Sequence, residues 1–213
     1  MRLEIAIAAG VVLAAAASTP ALVSPLDTLD LRDAVRIGVS GSEVEREQVH
    51  ARYRIRVAEP PVDWVDVMTP FHRVMLAAEQ ADNAGLRFGQ REAIATLGET
   101  ADQLDLLVEL TFHPLNTFVA VPGYTVALED PDGGRIEPRR TALVPRFAPR
   151  VEVDAPAYPA PSRTIGEGQP ILGGTIVVAF GVATLDGNAT YELVVTDGDV
   201  ELTRADLDLG SLR

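Results

Sequence analysis

Between residues 49 and 57 the chain alternates. Val49, Ala51, Tyr53, Ile55 and Val57 fall on one face; His50, Arg52, Arg54 and Arg56 fall on the other. Period two with β-branched and aromatic residues predicts a half-buried strand. Glu59-Pro60-Pro61 ends it, and residues 62–68 form a second apolar, extended stretch carrying the single tryptophan, Trp64. Period two returns from Leu104, with Leu104, Leu106, Val108, Leu110 and Phe112 on one side and Asp105, Leu107, Glu109 and Thr111 on the other. Tyr124, Val126 and Leu128 start another strand. Asp130-Pro131-Asp132-Gly133-Gly134 then turns the chain into Arg135-Ile136-Glu137. Residues 175–180, 190–196 and 200–204 are further strands, and Asp197-Gly198 is a hairpin signal between the last two.

Helical spacing interrupts this pattern once. Thr69 is a good N-cap and Pro70 fits the first helical position, where its missing N–H costs nothing. Phe71, Val74, Met75 and Ala78 follow at helical spacing, and Gly85 is a natural stop. A second short helix spans residues 90–97 and ends at Gly98. Residues 138–170 are rich in proline, which cannot donate to a sheet ladder, so they are read as edge strand or loop.

Many short strands, regular turn signals and one helical insertion predict a mainly β protein. The expected architecture is a single β-sandwich of immunoglobulin-like size over residues 22–213. A short helical insertion lies around 69–98 and a proline-rich loop around 138–170. The Cys…Trp…Cys signature of true immunoglobulin domains is absent, and architecture by itself assigns no function.

The N-terminus changes the cellular picture. Residues 5–17 are an uninterrupted apolar and small-residue run after Met1-Arg2, shorter than the ~20 residues a spanning helix needs. Ser18-Thr19-Pro20-Ala21 follows as a polar, helix-breaking segment. The run is read as a secretory signal peptide over residues 1–21, cleaved after Ala17 or Ala21. Export to a periplasmic or extracellular space is therefore expected, with no membrane span after cleavage. An uncleaved anchor over residues 5–23 is the rival reading, which Pro20 disfavours.

Composition narrows the chemistry. The 213-residue chain has no cysteine, so disulfides and thiolate metal sites are excluded. Its net charge of −13 repels polyanions, and no nucleic-acid partner is expected. All basic side chains other than histidine are arginines, which removes Schiff-base and phosphate-loop lysine chemistry.

Candidate sites are few. Arg52, Arg54 and Arg56 form a stripe that could hold an anionic ligand. As ordinary sheet chemistry the same stripe would pair with carboxylates across the ladder, with Asp105 and Glu109 the named partners and at least two of the three arginines paired. Asp130, Asp132 and Glu137 faintly resemble a calcium loop, although the spacing departs from the EF-hand pattern and a hairpin turn explains the residues without an ion. Gly38-Val39-Ser40-Gly41-Ser42 misses the nucleophile-elbow pattern at its fifth position. His50, His72 and His113 lie in three different elements, with no local ligand pair among them, and His72 is expected to be neutral in the first turn of its helix.

No catalytic set and no cofactor emerge from these residues. The functional expectation is an exported, non-enzymatic binding or structural module for an unknown protein or small-molecule partner. A hydrolase with scattered carboxylate acid and base is one alternative. An assembly or chaperone-like partner acting through a sheet edge is the other.

Overall fold

The computed structural model describes residues 26–57, 59–147 and 170–212. The expected signal peptide and most of the expected proline-rich loop lie outside the described residues.

The first helix, α1 (Thr28–Gly38), starts from a reciprocal capping box in which the Asp27 side chain accepts from the Asp30 backbone and Asp30 answers. Its buried residues Leu31, Ala34, Ile37 and Gly38 recur at helical spacing. The next helix, α2 (Glu43–Arg52), is capped by Ser42, which accepts from the Glu45 N–H. Acidic Glu43 and Glu45 sit in its first turn and basic His50 and Arg52 in its last, the arrangement the helix dipole favours.

A short strand β1 (Arg54–Arg56) and β2 (Val62–Met68) follow, then α3 (Pro70–Asn83), capped by Thr69 with Pro70 in its first turn, as the sequence predicts. Helix α4 (Gln90–Leu97) stops at Gly98, whose φ is +43°. The remaining strands are β3 (Gln103–Thr111), β4 (Thr125–Glu129), β5 (Arg135–Ile136), β6 (Arg140–Arg146), β7 (Gly173–Gly181), β8 (Thr190–Asp197) and β9 (Val200–Asp208).

They form two open antiparallel sheets, ordered β1-β2-β3-β7-β6 and β5-β4-β8-β9. β8 and β9 pair with each other as the hairpin signal predicts. The turn sits one residue later than expected. Asp197 pairs with Val200, so Gly198 and Asp199 are the central residues, and of these only Gly198 has positive φ, at +57°. Pro145 lies in β6 at a sheet edge, where its missing N–H is tolerated.

The mainly β expectation is corrected. About 32% of the described residues are helical and about 36% are in strands, a mixed α/β composition with four helices. The helical part is not a single insertion, because α1 and α2 precede the strands, and residues 49–52 of α2 belong to the stretch that alternation predicts as strand. One apolar cluster joins the inner faces of both sheets, with Val65, Val67, Leu106, Val108, Ile176, Leu193 and Val195 among its members. A second unites α1, α3 and α4 through Leu31, Ala34, Ile37, Phe71, Val74, Met75, Ala93 and Leu97. Val49 of α2 packs against both.

Candidate functional site

Period two decides which side chains of the larger sheet meet the helices. Val65 and Val67 of β2, and Leu106 and Val108 of β3, point into the cluster shared by the sheets. Trp64, Asp66 and Met68, with Asp105 and Leu107, therefore point the other way, and Asp105 there meets Arg73 of α3. On α3, His72, Leu76 and Glu79 form a stripe at i, i+4 and i+7; on α2, Arg46 and His50 are one turn apart. Between these stripes and the β1–β2 edge lies a cleft of about 690 Å³. Met68, Leu76 and Leu107 make its apolar part; Glu47, His50, His72, Arg54, Arg56 and Asp66 make its polar wall.

The helix side of this wall is a chain of hydrogen bonds. Glu79 Oε2 lies 2.9 Å from His50 Nε2, and His50 Nδ1 lies 3.1 Å from His72 Nε2. His72 Nδ1 lies 3.1 Å from the Val67 carbonyl oxygen. Arg46 Nε donates to the other Glu79 oxygen at 3.0 Å, and its guanidinium also donates to the Ser40 carbonyl. The Tyr53 ring stacks on His72 with centroids 3.9 Å apart. His72 is buried, and loss of hydration lowers its pKa from 6.5 to about 4. It is neutral at pH 7, as expected, with burial the largest cause.

The arginine stripe is divided by the fold. Residues 49–52 are helical, so the predicted strand shrinks to Arg54–Arg56, and Arg52 lines a separate small concavity with Tyr53 and Phe71. A helix N-cap at Ser42 followed by strong helix formers overrides the local period-two pattern. Arg54 makes a two-pronged bond to Asp66 at 2.7 and 2.9 Å, and its guanidinium lies 4.9 Å from the centre of the Trp64 ring. The Asp66 hydrogen bond also raises the Arg54 pKa.

Arg56 is exposed, with no carboxylate in salt-bridge range among the described residues. It lines both the main cleft and an adjoining concavity walled by Trp64. The expectation of two paired arginines is therefore corrected to one, and its partner is neither named residue. Asp105 pairs with Arg73 at 3.2 Å, and Glu109 accepts from Thr175 Oγ1 at 2.6 Å. Side-chain reach across the ladder does not by itself say which element covers that face of the sheet.

The remaining candidates do not join this cleft. Asp130 closes the β4–β5 turn by accepting from the backbone of Asp132 at 3.0 Å and Gly134 at 2.6 Å, while Glu137 bonds Arg135 at 2.6 Å. Among the described residues, no group of three or more acidic or histidine side chains is placed to hold a metal ion. Ser40 sits in the α1–α2 connection and donates to Glu45 at 2.7 Å. His113 Nδ1 accepts from the Leu115 N–H at 3.1 Å in a loop.

Sequence reasoning missed the pairing of His50 with His72 and Glu79. The Ser42-x-x-Glu45 cap could have put Arg46 and His50 on one helix face, but no sequence signal joins that face to α3. Comparison of the chain with protein-family models, curated proteins and solved structures finds no match.

Proposed function

We propose that this protein is a non-enzymatic binding module, built as an exported β-sandwich with a helical layer, whose cleft takes a small organic anion. The observation that carries the reading is Arg56, a guanidinium with no protein carboxylate partner among the described residues, on the wall of the cleft. Beside it Arg54 is held in one orientation by Asp66 and Trp64, which lowers the entropy of meeting a ligand. Met68, Leu76 and Leu107 offer apolar surface to the organic part of the ligand.

The hydrolase alternative finds less support. Asp66 accepts from Arg54 through both oxygens and from Trp64 Nε1 at 3.1 Å, while His50 and His72 direct all four ring nitrogens at protein partners. A general acid or base needs a free position toward its substrate. Assembly through a sheet edge has β6 in its favour, an edge strand exposed along its length with Leu143 and Val144 among its residues. Strand-edge assembly would appear as concentration-dependent light scattering at fixed ionic strength.

Trp64 is the chain's single tryptophan and borders the proposed site, so its fluorescence reports occupancy. Titration with succinate or sulfate should change the emission and saturate. Arg56→Ala should weaken binding about 10–150-fold, because truncating a charged hydrogen bond costs about 1.5–3 kcal/mol. Arg52→Ala, on a different concavity, should match the wild type. Equal affinity in Arg56→Ala and wild type would overturn the reading.

A further inference from the structure

The hydrogen-bond chain beside the cleft has a fixed proton count. A carbonyl oxygen only accepts, so His72 Nδ1 must donate to Val67. One proton must lie between His72 Nε2 and His50 Nδ1, and one between His50 Nε2 and Glu79. That makes three protons, one more than two neutral imidazoles and a carboxylate supply. The count is the same wherever the extra proton sits. Burial of His72 disfavours charge there, and imidazole is ordinarily a stronger base than a carboxylate, so in the His50–Glu79 contact the proton is placed on His50.

We infer that the cleft takes its anion together with a proton held on the Glu79–His50–His72 chain, so that affinity falls as pH rises. The inference rests on the anion-binding reading and adds its proton partner. The groups facing His50 are His72 and Glu79 of α3, with Arg46 holding Glu79. Arg54 and Arg56 of β1 and Asp66 of β2 line the opposite wall of the cleft, and Glu47 stands one turn before His50 on its own helix. Asp66 is matched by Arg54. Removing the chain's proton makes this wall more negative by one charge, and an anion at Arg56 then meets a less favourable field. By linkage, the anion raises the chain's hold on its proton.

Two measurements separate the proton chain from the ligand. Long-range proton–nitrogen NMR of the imidazoles in the free protein should show both His50 nitrogens protonated and His72 protonated at Nδ1 at neutral pH. Calorimetric titration with sulfate, whose charge is constant over the range, should give binding about 3–10-fold tighter near pH 6 than near pH 8.5. His50→Gln and Glu79→Gln should both bind sulfate with little pH dependence; Glu79→Gln serves if His50→Gln does not fold. Two neutral rings at neutral pH, or an unchanged pH dependence in the folded variants, would overturn the inference. No sulfate or succinate binding at either pH would overturn the anion reading and the linkage together, whatever the ring proton count.

Discussion

Among single residues, His72 carries the clearest consequence for stability. Its folded pKa, about 4, lies below the unfolded value of 6.5, so the unfolded chain takes up the proton first. Its contribution is complete above about pH 6.5 and is lost as pH falls toward about 4. The difference amounts to about 3 kcal/mol. Urea denaturation across that window should show the loss, and His72→Phe, which keeps a ring against Tyr53, should flatten this part of the profile. Arg54 is different. It is half exposed, so its bond to Asp66 adds on the order of 0–1 kcal/mol to folding, and its use lies in orientation.

Among elements, the packing of α1 on α3 depends on Gly38. A Cβ there would lie 2.3 Å from the Met75 carbonyl oxygen and 2.7 Å from Ala78 Cβ, so the helices would have to separate. Gly38→Ala should destabilise by about 1–3 kcal/mol despite alanine's better helix propensity, measurable as a lower denaturation midpoint. α3 itself depends on Thr69, whose hydroxyl accepts from the His72 N–H at 3.1 Å. Thr69→Ala should cost about 1 kcal/mol. It should also loosen His72, since the cap fixes the turn that carries it. α2 has no fully buried residue and holds its place through half-buried Val49 and the Arg46 and His50 bonds to Glu79. The helix that supplies His50, the middle member of the proton chain, is thus anchored in part by that chain.

In the whole molecule, two apolar clusters divide the labour. The larger joins the sheets behind the sheet wall of the cleft; the smaller packs α3, which lines the cleft, against α1 and α4, and Val49 of α2 packs against both. Leu106 is fully buried in the larger cluster, in the central β3. Leu106→Ala should cost about 2–5 kcal/mol and lower the thermal midpoint. Its side chain points away from the cleft, so sulfate affinity of the folded variant should stay near the wild-type value.

What the sequence determined by itself was local. Thr69-Pro70 started α3, Gly98 ended α4, Gly198 turned the β8–β9 hairpin, and alternation from Leu104 to Leu110 chose the buried face of β3. Each of these depends on residues within a few positions of one another, where backbone sterics and periodicity act directly. Residues 49–52 marked the limit. Their alternation satisfied a strand template, yet a cap seven residues upstream of Val49 committed them to a helix. The tertiary structure alone decided the partners. Arg54 met Asp66 because β1 pairs with β2, Asp105 met Arg73 because α3 covers that face of the sheet, and His50 met His72 and Glu79 because α2 crosses α3. Those contacts span 12 to 32 positions in the chain. Separations of that size carry no periodic signal, and they close only when two apolar clusters fix how sheets and helices stack.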